Sequence, residues 1–145
     1  RLQAIRGLSQ AGVPCMVFAA PMIPFLNDAE LENILAAGKQ AGAVAASYTL
    51  IRLPLELKDL FTGWLREYAP EKAKHVLNLI RQSRHGDLAF GQRMTGCGEM
   101  ARLLARRFRL ACHKHGLGIA DRSEIQLQCG LFNLPPQAGD QLALF

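Results

Sequence analysis

No stretch of this 145-residue chain is long and apolar enough for a membrane-spanning helix, because Pro and Gly interrupt its hydrophobic runs. A signal-peptide pattern of basic, apolar and small-residue regions is also missing. The chain opens at Arg1 inside a helical pattern, so a C-terminal piece of a longer cytoplasmic protein is expected. Cys15, Cys97, Cys112 and Cys129 are too scattered for a disulfide framework, which fits a reducing compartment. Close metal-binding pairs such as C-x-x-C, in which one turn presents two ligands, are lacking too. Cys112 and His113 are adjacent and point to different helix faces; Cys112 falls with Phe108 on an apolar face, where a buried thiol is common. No metal site is expected. Gly96-Cys97-Gly98 lacks the lysine of a P-loop, although its backbone could meet a phosphate beside Arg93. Glu30 and Glu32 project to different sides of their helix, and no catalytic residue is assigned.

What the chain does have is enough apolar material, 50% of its residues, to fill the core of one domain. Two runs stand out: Val13-Pro14-Cys15-Met16-Val17-Phe18-Ala19-Ala20, ending at Pro21-Met22-Ile23-Pro24, and Val44-Ala45-Ala46-Ser47-Tyr48-Thr49-Leu50-Ile51, ending at Arg52-Leu53-Pro54. Apolar runs without alternation predict strands buried on both faces, as parallel strands under helices are. Between them, Asn27-Asp28 can cap a helix whose apolar face is Leu31, Ile34 and Leu35 and which frays through Gly38 and Gly42. An earlier helix carries Leu2, Ile5 and Leu8 and stops at Ala11-Gly12. The expected pairing sets residues 13–20 beside 44–51 in a parallel α/β sheet, with the helix of residues 28–38 crossing between them.

After Pro54 the pattern becomes helical. Leu57, Leu60, Phe61, Trp64, Leu65 and Tyr68 form one stripe, and Pro70 suits the first turn of a helix carrying Ala73, Val76, Leu77 and Ile80. Residues 83–98 read as a loop. A helix from about Glu99 to Lys114 is expected to bury Met100, Leu103, Leu104, Phe108 and Ala111 and to stop at His115-Gly116. Its opposite face aligns Arg102, Arg106, Arg109 and His113. Net charge is +5 and the isoelectric point about 9.3, with the surplus concentrated in residues 81–114. Such local excess attracts polyanions, so Arg93, Arg102, Arg106 and Arg109 are the candidate nucleic-acid contacts, against the plainer reading of a solvated helix face.

Three blocks carry a resemblance. Ala20-Pro21-Met22-Ile23-Pro24-Phe25-Leu26-Asn27-Asp28 resembles the turn after the fifth strand of radical S-adenosylmethionine enzymes. Arg52-Leu53-Pro54-Leu55-Glu56-Leu57-Lys58-Asp59-Leu60-Phe61 is similar to the segment after the last strand in their spore photoproduct lyase-like branch, the putative DNA repair photolyases. Phe90-Gly91-Gln92-Arg93-Met94-Thr95-Gly96-Cys97-Gly98, with Ala101 and Arg107-Phe108, resembles that branch too. The likeness covers residues 1 to about 118. It implies the C-terminal end of a partial βα-barrel: residues 1–54 as its last βα units, 55–118 as a mainly helical extension and 119–145 as a flexible tail.

The resemblance further implies a parent enzyme that uses S-adenosylmethionine and a four-iron four-sulfur cluster held by a C-x-x-x-C-x-x-C loop. No cysteine here has that spacing, so the motif belongs upstream of Arg1, and neither cofactor is expected bound to this piece. In βα-barrels ligands sit at the C-terminal strand ends. Ala20, Pro21, Met22, Ile23, Arg52 and Leu53 are therefore the candidate cofactor-contacting residues, with Arg52 placed to meet a carboxylate or phosphate. The implied substrate is DNA carrying a photoproduct, or another nucleic acid; the alternative is a non-catalytic basic module that binds DNA or a partner. Gln141-Leu142-Ala143-Leu144-Phe145 is similar to the peptide with which bacterial repair proteins bind the replication sliding clamp. Gln141, Leu142, Leu144 and Phe145 are its candidate contacts. An exposed sheet edge would also let the piece self-associate.

Overall fold

The computed structural model describes residues 1–84 and 94–119. Arg93 and the terminal Gln141, Leu142, Leu144 and Phe145 lie outside them. Along the described residues run α1 (Leu2–Gln10), β1 (Met16–Met22), a 3-10 turn (Asp28–Glu30), α2 (Leu31–Gln40), β2 (Ala45–Leu50), α3 (Leu57–Tyr68), α4 (Pro70–Gln82), α5 (Gly98–His115) and β3 (Gly118–Ile119). The three strands form a parallel sheet in the order β1-β2-β3. The expected parallel pairing is present: Met16 stands opposite Ala45, Phe18 opposite Ser47 and Met22 opposite Leu50. The sheet is wider than the expected two strands, because Gly118, placed at the end of the helical extension, and Ile119, placed at the start of the flexible tail, form β3 and pair with Ala45 and Ala46.

The strands are not buried on both faces. Val17, Ala19 and Met22 turn inward on β1, as do Ala46, Tyr48 and Leu50 on β2, whereas Met16 and Phe18 are exposed and Ala45, Ser47 and Thr49 half-buried. One layer of helices therefore covers one face. Apolar Met16 and Phe18 on β1 and small Ala45 and Ser47 on β2 at the uncovered positions hid this alternation in the sequence. β1 also runs through Pro21 to Met22 instead of turning at Pro21. An irregularity between Ala19 and Met22 moves the inward position by one residue, so that Met22, and not Pro21, enters the core.

Two apolar clusters hold the molecule. The first packs the inward sheet face against Leu31 and Leu35 of α2 and Leu104, Phe108, Ala111 and Cys112 of α5, with Ile5 of α1 at its margin. Gly38 lies within α2 instead of fraying it, because its bare Cα lets the helix approach Val17. The second cluster joins Leu65, Ala69, Ala73, Val76 and Ile80 of the α3–α4 pair to Ile51, with Ile23, Leu26 and Leu53 packed against it. On α3 only Leu65 is buried: Leu57, Leu60, Trp64 and Tyr68 remain exposed, and Phe61 stacks on Trp64. Leu103, expected inside, is 51% exposed, while Ala101 and Cys112 take inward places on α5. Gly116 closes that helix in the left-handed conformation, as its sequence requires.

Candidate functional site

The C-terminal ends of β1 and β2 lie side by side, tied by the Ile51 amide donating to the Met22 carbonyl at 2.9 Å. Of the candidate contacts there, Ala20, Pro21 and Arg52 are exposed, Ile23 and Leu53 are half-buried against the α3–α4 cluster, and Met22 is 1% exposed within the first core. Met22 thus packs toward the helices, and the accessible edge is made by Ala20, Pro21 and Arg52.

Arg84, counted in the sequence only as surplus charge, is the residue at this edge that sequence reasoning missed. Its Nη2 donates to the carbonyls of Leu50 (2.6 Å) and Ile51 (2.9 Å), capping the end of β2. Burial pushes its pKa down, and the charge of neighbouring Arg52 adds to that. No local spacing announces such a bond, since the partners lie 33 and 34 residues away. Met94 supports the same strand end from the other side, its carbonyl accepting from the Leu50 amide at 3.0 Å.

Asn27 and Asp28 do not cap α2 through their side chains, as the sequence suggested; they fold the turn that follows β1. Asn27 Oδ1 accepts from the Ile23 amide (2.6 Å), and its Nδ2 donates to the Pro21 carbonyl (3.0 Å). Asp28 Oδ1 accepts from the amide of Phe25 (2.6 Å), whose φ of 62° is uncommon for a bulky residue. From α5, Arg107 reaches across to this turn. It donates to Asp28 Oδ2 (3.1 Å), to the Asp28 carbonyl (2.8 Å) and to both carboxylate oxygens of Glu32 (2.8 and 2.6 Å). The hydrogen bond from Arg107 holds Glu32 below the usual carboxylate range, with burial opposing it, and Glu32 in turn raises Arg107.

The basic stripe lies on the outward side of α5. Arg102, Arg106, Arg109 and His113 are exposed, as expected, and none of the three arginines makes an ion pair among the described residues. Arg107 is paired with Asp28 and Glu32 and is subtracted from the surplus, while Arg84 is engaged at the end of β2 and not on this face. Gly96-Cys97-Gly98 serves packing: Gly96 and Gly98 have positive φ beside the Ser83 and Gln82 carbonyls, and the Cys97 amide donates to the Ser83 carbonyl at 3.0 Å. That amide is already engaged and is not offered to a phosphate.

Among the described residues no three His, Cys, Asp or Glu side chains gather closely enough to hold a metal. Cys112 is buried, with its thiol pushed up by desolvation, while His113 is exposed, so the two do point apart. No helix among the described residues is long and apolar enough to cross a membrane. Comparison with protein-family models, with curated proteins and with solved structures finds no match to this chain.

Proposed function

We propose that this chain is the C-terminal part of a radical S-adenosylmethionine enzyme of the spore photoproduct lyase-like branch, acting on nucleic acid. One observation carries the reading: β1 and β2 are parallel, covered among the described residues by helices on one face only, with their C-terminal ends and Arg52 together at one edge. An open inner face is what adjoining strands of a partial barrel present, and that edge is where such folds bind ligands.

Arg52 fits the carboxylate of S-adenosylmethionine, being an exposed cation at the strand end, and Ala20 and Pro21 offer surface to its adenosyl part. When bound beside a reduced cluster, that cofactor supplies a deoxyadenosyl radical. The cluster itself does not fit these residues, because Cys15, Cys97 and Cys112 lack the required spacing. The test is to read the coding sequence upstream of Arg1 and assay the full gene product for iron. A C-x-x-x-C-x-x-C loop with cluster absorption is expected; a product without that loop would overturn the enzyme reading.

The second reading, a basic DNA- or partner-binding module, draws on the exposed arginines of α5. Both readings use that stripe against phosphates, and the enzyme reading alone requires the upstream loop. The sliding clamp is the proposed partner of the C-terminal peptide.

A further inference from the structure

We infer that Arg107 is a positioning residue for the ligand end of β1, acting through the two oxygens of Asp28. The Asp28 carboxylate is shared between two elements: Oδ1 accepts from the Phe25 amide and Oδ2 from Arg107. A charge-assisted bond on one oxygen fixes the plane of the carboxylate, and with it the acceptor direction of the other. Phe25 depends on that acceptor, because its backbone has φ of 62° and its ring is half-exposed, touching His75 edge-on at 4.5 Å. Non-glycine residues stay in that region when the surroundings over-determine them. Asn27 adds the bonds to Ile23 and Pro21, but both stay within the turn. Arg107 does reach outside it, and makes the shape of residues 21–28 depend on where α5 lies.

The Arg107 pair is well built for this. Asp28 and Arg107 have only 15% and 25% of their side chains exposed, and Glu32 accepts from Nε and Nη2 of the same guanidinium, so it cannot swing away to solvent without losing several bonds. Glu32 sits on α2, which belongs to the first core. Arg107 is thereby anchored on one side and free to act on Asp28 on the other. The inference concerns the shape of the turn and holds whatever ligand the edge takes, so its test needs no cofactor.

The test is amide hydrogen exchange on the chain itself, with the His75 ring-proton shift as a second readout, since Phe25 lies against that ring. In Arg107→Ala the Ile23 and Phe25 amides should exchange about tenfold faster or more, as expected for local opening below the global limit. The His75 shift should move toward its free value, while the Ala46 and Tyr48 amides of β2 keep their wild-type protection. Glu32→Gln, which leaves the Asp28 contacts in place, should change the turn amides far less. Unchanged Ile23 and Phe25 exchange in Arg107→Ala, or acceleration only in step with β2, would overturn the inference. Should Arg107→Ala fail to fold, Asp28→Asn gives the same decision: it keeps an oxygen for Phe25 but weakens the grip of Arg107. Faster local exchange there supports the role, and wild-type exchange sinks it.

Discussion

Arg107 and Asp28, 79 residues apart in the chain, meet through two bonds: Nη1 donates to Oδ2 at 3.1 Å and Nη2 to the Asp28 carbonyl at 2.8 Å. This contact ties the middle of the chain's longest described helix to the turn after its first strand. Both partners were visible in the sequence as charges of opposite sign, but nothing in their spacing joined them. The pair also decides how much of the basic surplus reaches the surface.

Acid should test the Glu32 side of this cluster. Its folded pKa lies below the ordinary value of 4.5 because Arg107 hydrogen-bonds the carboxylate. A depressed carboxylate stabilises fully above its unfolded pKa, and the contribution is lost as pH falls through the folded one. Glu32 has 41% of its side chain exposed, so solvent screening limits the contribution to about 1 kcal/mol at most. Glu32→Gln should therefore lower the urea midpoint at neutral pH, and the difference should close in acid. Parallel curves for the two proteins at every pH would mean that the bridge contributes nothing.

Much of the fold was legible because the local signals were strong. The two parallel strands, the Pro70 helix start and the Gly116 stop were read from apolar runs and backbone chemistry. Alternation on β1 and β2 was not legible, because the open face carries large apolar Met16 and Phe18 on β1 and small Ala45 and Ser47 on β2, none of which marks it as polar. Residues 118–119 form a strand only because Val44 and Ala45 lie beside them, a partner no local window contains. At the site, the strand ends and the α5 stripe followed from periodicity. Arg84 and Arg107 did not, since both act on groups dozens of residues away.

Tyr48 offers a test of burial without hydrogen bonding. Among the described residues its hydroxyl is buried with no hydrogen-bond partner, and its ring leans on Phe108 at 4.8 Å. An unsatisfied buried hydroxyl costs roughly 1–3 kcal/mol. Tyr48→Phe keeps the ring and removes that cost, so it should stabilise the chain by about 1 kcal/mol in urea unfolding. Burial also raises the Tyr48 pKa. Native stability is therefore lost as pH rises above the ordinary tyrosine value through the folded one, and Tyr48→Phe should remove that alkaline loss. A destabilised Tyr48→Phe would show that the hydroxyl has a partner in solution.

Gly38 should resist a change that helix propensity favours. An added Cβ would lie 2.9 Å from both Cβ and Cγ1 of Val17, and the first of these is fixed to the β1 backbone. Alanine gains roughly 1 kcal/mol of helix propensity, and overpacking typically costs about 1–3 kcal/mol. Because Val17 cannot rotate its Cβ away, α2 must lift from β1, and Gly38→Ala should destabilise by about 1–2 kcal/mol overall. Val17→Ala in the same chain removes Cγ1 and should recover part of the loss. A more stable Gly38→Ala would mean that α2 slides freely on the sheet.

The C-terminal peptide gives a test that is independent of the sheet. Its prolines at 135 and 136 and glycine at 139 precede Gln141-Leu142-Ala143-Leu144-Phe145, whose two large apolar ends would fill a pocket while Gln141 bonds at the rim. A ten-residue peptide ending at Phe145 should bind a bacterial sliding clamp with micromolar affinity, about −8 kcal/mol. Alanine at both Leu144 and Phe145 should abolish binding, as each buried group contributes roughly 1.5–3 kcal/mol. Calorimetry without heat, together with no competition against a known clamp peptide, would remove the clamp as a partner and leave the enzyme reading standing.

Substituting the arginine stripe of α5 distinguishes a face that binds phosphates from one that only meets water. Arg102, Arg106 and Arg109 are exposed, share one side of the helix and make no ion pair among the described residues, so their substitution should disturb the core little. If they neutralise phosphates, each contact releases counterions and steepens the salt dependence of binding by roughly one unit of log–log slope. Changing all three to Gln should weaken binding to duplex or single-stranded DNA and flatten that slope by about three units. Arg107→Gln is the internal contrast, because its charge is spent on Asp28 and Glu32: it should alter stability and leave the slope near wild type. A triple variant with an unchanged slope would mean that the stripe faces only water, and nucleic-acid binding would then have to come from elsewhere in the protein.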